Sequence, residues 1–277
     1  MAEAADDPEH FLRVFGTHIR DQHAPRAWPF LNATRYRSLR VEIDYVAGCT
    51  PSRYALGRLE QIISKYCSKP AGVTVVVDER IERSPPGQGE SVEHRCKALG
   101  SIHCNLPNTG NELGLYILYF PQAPGTSRLG TAGGALPKER GIANFVVFKK
   151  AVDRSARLQF TRAEVEAETL IHEFGHMLGL CYNPSHTVWN NPSHCTHPEC
   201  AMTGVSLTRA VFGNLFYNPL RLLLGHLPKD YCSACQEDLR CYAACEAGAD
   251  DSPRKSDPRV GPPDRGGSGV AAGKRHD

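Results

Sequence analysis

The chain lacks a long apolar run. Nowhere in its 277 residues does hydrophobicity persist for the roughly 20 residues that a bilayer-spanning helix needs, so no transmembrane segment is expected. It also lacks an excess of charge of either sign. Its 32 Lys and Arg stand against 30 Asp and Glu, a formal net charge of +2, spread along the chain. That removes the electrostatic case for nucleic acid or an anionic membrane as a partner. The opening MAEAADDPEHFLRVFG is acidic and lacks a basic segment followed by an apolar stretch, so no secretory signal is read there. A cytoplasmic protein is expected, or an exported one if a leader was lost. Methionine is scarce, with Met1, Met177 and Met202 alone, so the position of each is informative.

What is present can build a core: 41% of the residues are hydrophobic, at a length suited to one large domain or two small ones. Leu39–Val46 alternates like a strand. Pro51–Lys69 reads as a helix with Leu56, Leu59, Ile62, Ile63 and Tyr66 in one stripe. Val73–Val77 reads as a buried strand, and Leu113–Phe120 and Ile142–Phe148 as two more. Arg83–Gly89 and Gly125–Gly141 are Pro- or Gly-rich loops. Residues 1–36 are poorly patterned apart from a short helix around Phe11–Ile19. A Cys-rich helix is expected from about Lys229 to Glu246, and the Pro-, Gly- and charge-rich segment 248–277 reads as a disordered tail. The order of elements suggests an α+β fold, with 37–247 as the folded domain.

The clearest helix follows Thr161, which forms a capping box with Glu164. Glu164, Glu166 and Glu168 suit its positive start. Val165, Leu170, Phe174, Met177 and Leu178 supply an apolar face, and Gly179 is a natural stop. Within it lies His172-Glu-Phe-Gly-His176. A spacing of four puts both imidazoles on one face, about 6 Å apart at their bases, so they can share one ion. Glu173, offset by one residue, can serve as the catalytic base for a water on that ion. Zinc would lower the pKa of such a water to roughly 7 and polarise a scissile carbonyl. The plain alternative is a helix with two surface or core histidines. Cap, apolar face and stop all agree with the motif instead.

A catalytic zinc needs a third protein ligand. In the metzincins, which this stretch resembles, the pattern HExxHxxGxxH supplies a His three residues after the Gly; here that position is Tyr182. Further on, His194-Cys195-x4-Cys200-x-Met202 resembles the His-Cys-x4-Cys-x-Met signature of the archaemetzincins. KPAGVTVVVDE, LGLYILYF, LGTAGG, IANFVVFKKA and EAETLIHEFGHMLGL resemble a group of bacterial metzincin-like enzymes labelled membrane metalloproteases. The resemblance implies an insertion of twelve residues before the third ligand. His194 is then the first choice, His186 the next, and His197 or Tyr182 the remainder.

The same resemblance implies a metzincin-like mixed, twisted sheet and a Met-turn at Met202, a floor beneath the metal. It implies that IANFVVF is the edge strand, able to bind substrate by strand addition; a buried core strand is the other reading. It also implies a structural zinc on Cys195, Cys200, Cys232 and Cys235, in a small Cys-rich C-terminal subdomain. Disulfides or free thiols are alternatives there, and Cys241 and Cys245 offer competing thiols among the chain's eleven cysteines. Cys181 reads as a small packed residue. The expected function is zinc-dependent hydrolysis of peptide bonds in a peptide or protein substrate, with Zn2+ as cofactor and Tyr217 as an oxyanion candidate. A catalytically silent metal-binding fold and an interaction protein are the alternatives.

Overall fold

Alternation along two hydrophobic strands decides the architecture. In the computed structural model, strands β1 (Ser38–Val46) and β3 (Glu112–Phe120) pair in parallel, with Leu39 beside Leu113, Val41 beside Leu115 and Ile43 beside Ile117. Successive side chains point to opposite faces of a sheet. These odd-numbered residues therefore share one face, and Glu42, Asp44, Gly114 and Tyr116 share the other. Both faces are buried at the centre, as in parallel sheets generally. The structure describes residues 26–82, 90–107, 110–121, 128–137, 142–156, 160–188, 191–203 and 227–244. The helix expected around Phe11–Ile19, the loop Arg83–Gly89, Tyr217, Cys245 and the segment 248–277 lie outside them.

The sheet is mixed, as expected. Its strand order is β2-β1-β3-β5-β4, with β2 at Val73–Ile81, β4 at Gly130–Ala132 and β5 at Ala143–Phe148. The first four strands run parallel, and β4 is antiparallel to β5. Two expectations are corrected here. Val73–Val77 belongs to an outermost strand, so Thr74 and Val77 are exposed where a buried strand was expected. IANFVVF is internal, because three residues of the Gly-rich loop form β4 outside it. The edge on that side is therefore β4.

Six helices accompany the sheet among the described residues: α1 (residues 26–31), α2 (Arg53–Tyr66), α3 (Val92–His103), α4 (Lys149–Ser155), α5 (Arg162–Met177) and α6 (Ser233–Ala244). Ser52 caps α2, which buries Ala55, Leu59, Ile62 and Ile63 and packs on α5. Phe30 of α1 meets Phe174 of α5 edge-on, with ring centroids 5.7 Å apart. α3 carries only a short apolar stripe, Val92, Cys96 and Leu99, packed against the core. Its buried residues are Cys96 and Gly100, and a Cβ on Gly100 would stand 2.0 Å from the Ala135 carbonyl oxygen. A helix that docks by close backbone approach leaves little hydrophobic periodicity to read.

α5 is pinned through Glu166, which is fully buried. Its carboxylate accepts the Ser52 amide at 2.7 Å, the Tyr119 hydroxyl at 3.0 Å and the Lys149 ammonium at 2.9 Å. The helix start is thus served by Glu164 in its capping box, while Glu166 ties α5 to the sheet, to α4 and to the start of α2. Breaking a buried pair by removing one partner costs about 3–5 kcal/mol. Lys149→Ala is accordingly expected to lower stability by about 3 kcal/mol, read from the denaturant midpoint. An unchanged midpoint would mean that the hydroxyl and amide donors hold Glu166 by themselves.

Candidate metal centre

The end of α5 sets the site. Leu178 caps the helix, and Gly179 follows at φ 69°. The Gly179 amide then donates to the His176 carbonyl and the Leu180 amide to the Gly175 carbonyl. This is a Schellman closure, and the positive φ is what favours glycine there. Upstream of it, His172 and His176 turn their rings toward each other, with Nε2 atoms 3.2 Å apart. For Zn–N bonds of 2.0–2.1 Å, the edge of a tetrahedron is about 3.3 Å. His172 Nδ1 lies 2.7 Å from the Ala201 carbonyl oxygen. A carbonyl only accepts, so the proton sits on Nδ1 and the Nε2 lone pair is free for a metal.

The segment after Gly179 supplies the third imidazole. A two-stranded hairpin, β6 (Thr187–Val188) and β7 (Asn191–Cys195), follows. It brings His194 back so that its ring stacks on His172 at 5.2 Å and meets His176 at 5.7 Å. One nitrogen from each of the three histidines lies within 4.8 Å of the others. His186 is placed elsewhere: its Nε2 is 2.8 Å from Asp238 Oδ2 and its Nδ1 is 3.6 Å from Cys195 Sγ. His197 is exposed and its amide donates to Cys195 Sγ. Tyr182 is half-buried just past the turn.

Two glycines make room for the rest of the site. A Cβ on Gly130 would stand 2.6 Å from Glu173 Oε1, so edge strand β4 crosses directly over this carboxyl. A Cβ on Gly175 would stand 2.2 Å from Met202 Sδ. Met202 is fully buried and its sulfur rests on the helix backbone between the two motif histidines. Neither Gly130, Ala201 nor Asp238 was singled out from the sequence. A lone glycine, a backbone carbonyl and an isolated aspartate carry no pattern.

The four expected cysteines also converge. Sulfurs of Cys195, Cys200, Cys232 and Cys235 lie within 4.8 Å of one another. Cys195 and Cys232 are 3.7 Å apart, and Cys200 and Cys235 are 3.6 Å apart. Zn–S bonds of 2.3 Å give a tetrahedral edge of about 3.8 Å, whereas a disulfide needs about 2.05 Å. The Cys232 amide donates to Cys200 Sγ at 3.3 Å and the His197 amide to Cys195 Sγ at 3.4 Å. Hydrogen bonds from Cys181, Cys200, Cys232 and Cys235 hold the Cys195 thiol well below its ordinary range. Burial works against a charged His186, but the bonds to Asp238 and Cys195 prevail and push its pKa up to about 10. An imidazolium thus stands beside the cluster. Cys181 is buried, with its sulfur 4.0 Å from that of Cys235; Cys241 is exposed and outside the four.

No protein-family model and no curated protein matches the chain. Among solved structures it is similar to an archaemetzincin. That structure, the crystal structure of archaemetzincin from Methanopyrus kandleri, shares 18% identity at a TM-score of 0.42, over 75% of this chain and 97% of that one. An overlap of this extent leaves the site to be judged on its own side chains.

The electrostatics of those side chains suit a cation. Burial lowers the pKa of His172 to about 4. Burial, then the neighbouring His172 and His194, place His176 well below its ordinary value, and burial lowers His194 as well. All three are neutral imidazoles at neutral pH, the form that binds metal. Burial, followed by the charge of Glu168, pushes Glu173 up to about 8, against the pull of the Ala132 amide and Arg128. A folded-state value above the ordinary 4.5 means that the native state holds its proton more tightly than the unfolded chain. The stability this contributes is complete below pH 4.5 and is lost as pH rises through about 8. Metal-free Glu173→Gln has no charge to bury there. Its melting temperature is expected to exceed wild type clearly at pH 8 and little at pH 5, in parallel thermal melts; an equal gain at both values would show that the carboxyl is not held protonated.

Proposed function

We propose that the protein is a zinc-dependent peptidase, with His172, His176 and His194 holding the metal and Glu173 acting as general base and acid. The observation that carries this is the convergence of three neutral imidazoles beside a buried carboxyl that none of them engages. A structural zinc site has no use for such a carboxyl. Held by His172, His176 and His194, a Zn2+ ion would supply Lewis acidity to polarise a scissile carbonyl and acidify water. The charge of a bound cation would favour the ionised form of Glu173, whose carboxylate would take the proton of the attacking water and pass it to the leaving amine. Ala201, through His172 Nδ1, fixes the ring that presents Nε2. Met202 beneath Gly175 serves as the floor that keeps the two helical ligands in place.

The substrate we infer is an extended peptide. β4 is the last strand on its side of the sheet and crosses over Glu173, so a chain added along its outer edge passes the carboxyl. The second metal in this reading is a structural zinc on Cys195, Cys200, Cys232 and Cys235, within a unit spanning residues 37–247. None of the described helices is long and apolar enough to cross a membrane.

Metal analysis with a peptide-cleavage assay tests the assignment. Wild type is expected to hold two zinc ions per chain. His194→Ala should lose one of them and activity with it. Glu173→Ala should keep both and lose about a hundredfold or more in rate, the usual contribution of a positioned base. Full metal and full activity in His194→Ala would falsify the ligand set, and a zinc-replete wild type that cleaves no peptide would leave a silent metal-binding protein.

The two sites are linked by sequence. His194, Ala201 and Met202 serve the histidine site, and Cys195 and Cys200 of the same nine residues serve the cysteine site. Cys232→Ser should therefore release the structural zinc and also weaken the catalytic one, by about tenfold or more, the usual effect of losing an outer support. A chelator titration that follows both ions reads this; unchanged retention of the catalytic zinc would show that the two sites are independent.

A further inference from the structure

The opposite face of the sheet carries a second kind of donor cluster. Glu42 and Asp44 alternate along β1, and Asp78 lies on β2. One carboxylate oxygen of each lies within 4.8 Å of the others. Glu42 and Asp44 are fully buried, and Asp78 is exposed. The cluster is built by a slip in strand register. Ile43 pairs with Val77 but Tyr45 pairs with Arg80, so Asp78 and Glu79 both stand opposite Asp44. Bulges of this kind re-aim side chains and are frequent beside functional sites.

The surrounding donors hold the three carboxyls in position without satisfying them. The Glu79 amide donates to Asp44 Oδ1 at 3.0 Å, and the Tyr116 hydroxyl to Asp44 Oδ2 at 2.8 Å. Asn105, two residues past the end of α3, donates its amide to Glu42 Oε1 at 2.6 Å and its side-chain NH2 to Asp78 Oδ2 at 2.9 Å. The remaining oxygen, Glu42 Oε2, is buried and has no hydrogen-bond partner. A carboxylate oxygen left so in an interior is costly. Among the described residues no Lys, Arg or His is ion-paired with Glu42, Asp44 or Asp78, and His103 is engaged with Glu79. The nearby C-terminal end of α3 adds negative potential rather than relieving it.

We propose that Glu42, Asp44 and Asp78 form a site for a hard divalent cation of the calcium class. The donors are all oxygens, the set that hard cations select over zinc or copper. Ca–O bonds of 2.3–2.6 Å allow oxygens on one coordination shell to stand up to about 5 Å apart, which accommodates the separation found here. Exposed Asp78 leaves one side open, where water completes the six to eight ligands that calcium takes. The orphaned Glu42 oxygen gains its missing partner. The ion would clamp the β1–β2 bulge to the end of α3, on the face of the sheet turned away from α5. It goes beyond the peptidase reading and does not rest on it.

The test uses the full chain loaded with zinc, titrated with Ca2+ alone. Calorimetry is expected to show one Ca2+ taken up per chain, with a melting temperature that climbs with Ca2+ concentration. Asp78→Asn alters an exposed residue and should fold; it is expected to weaken Ca2+ binding by about tenfold or more, since charge count tunes calcium affinity, with zinc content unchanged. Glu42→Gln should abolish uptake and raise the melting temperature in Ca2+-free buffer, because an acid is no longer buried there. No uptake by wild type, or uptake unaltered in Asp78→Asn, overturns the proposal. Neither readout involves peptide cleavage, so failure here and failure of the peptidase reading are separate events.

Discussion

Nine consecutive residues, His194–Met202, must satisfy two neighbours at once. From one side they meet α5: His194 joins His172 and His176, the Ala201 carbonyl fixes His172, and the Met202 sulfur rests on Gly175. From the other they meet the start of α6, where Cys195 and Cys200 close on Cys232 and Cys235. The segment leading into α6 is itself fastened. Asp230 accepts from Lys65 and from Tyr66 of α2, its carbonyl accepts the Ala201 amide, and the Tyr231 hydroxyl donates to the Ile171 carbonyl. The position of one imidazole thus depends on a chain of fixed contacts running through the cysteines into α2. Past the end of β7, the stretch up to Met202 is held by side chains and single backbone bonds instead of by a ladder.

α5 carries two buried carboxyls that are treated in opposite ways. Glu166 receives an ammonium, a hydroxyl and an amide, which together offset the cost of burying its charge. Glu173, seven residues later, receives far less, and its pKa rises to about 8. The same residue type on one helix is therefore an ion-paired anchor near one end and a carboxyl that burial keeps protonated near the other. Environment decides which.

Much of this was legible in the sequence where the signal was local and repeated. The central strands, the capped α5 and the His172 and His176 pair follow from periodicity, capping and motif spacing, whereas the cysteine quartet was implied by the resemblance to archaemetzincins. The resemblance in His-Cys-x4-Cys-x-Met singled out His194, which the structure brings beside His172 and His176. What escaped was carried by contacts between distant residues. β4 is three residues long inside a Gly-rich loop, so the true edge strand gave no alternation, and IANFVVF could be read as either an edge or a buried core strand. α3 docks through Gly100 and so shows only a short stripe. Glu166 looked like a dipole-complementing residue because its partners, Lys149 and Tyr119, are remote in sequence. The Glu42, Asp44 and Asp78 cluster required a register slip that no composition reveals.

Gly175 has a last implication. Glycine inside a helix costs about 1 kcal/mol relative to alanine, and the Met202 sulfur occupies the space that any side chain there would need. The helical segment that bears His172 and His176 is thus weakened by the feature that lets the Met202 sulfur approach. Transplanting HEFGH onto a foreign scaffold would carry over the penalty without the thioether that makes use of it. A designer borrowing this centre would have to move the helix, the hairpin and the cysteine loop together as one graft.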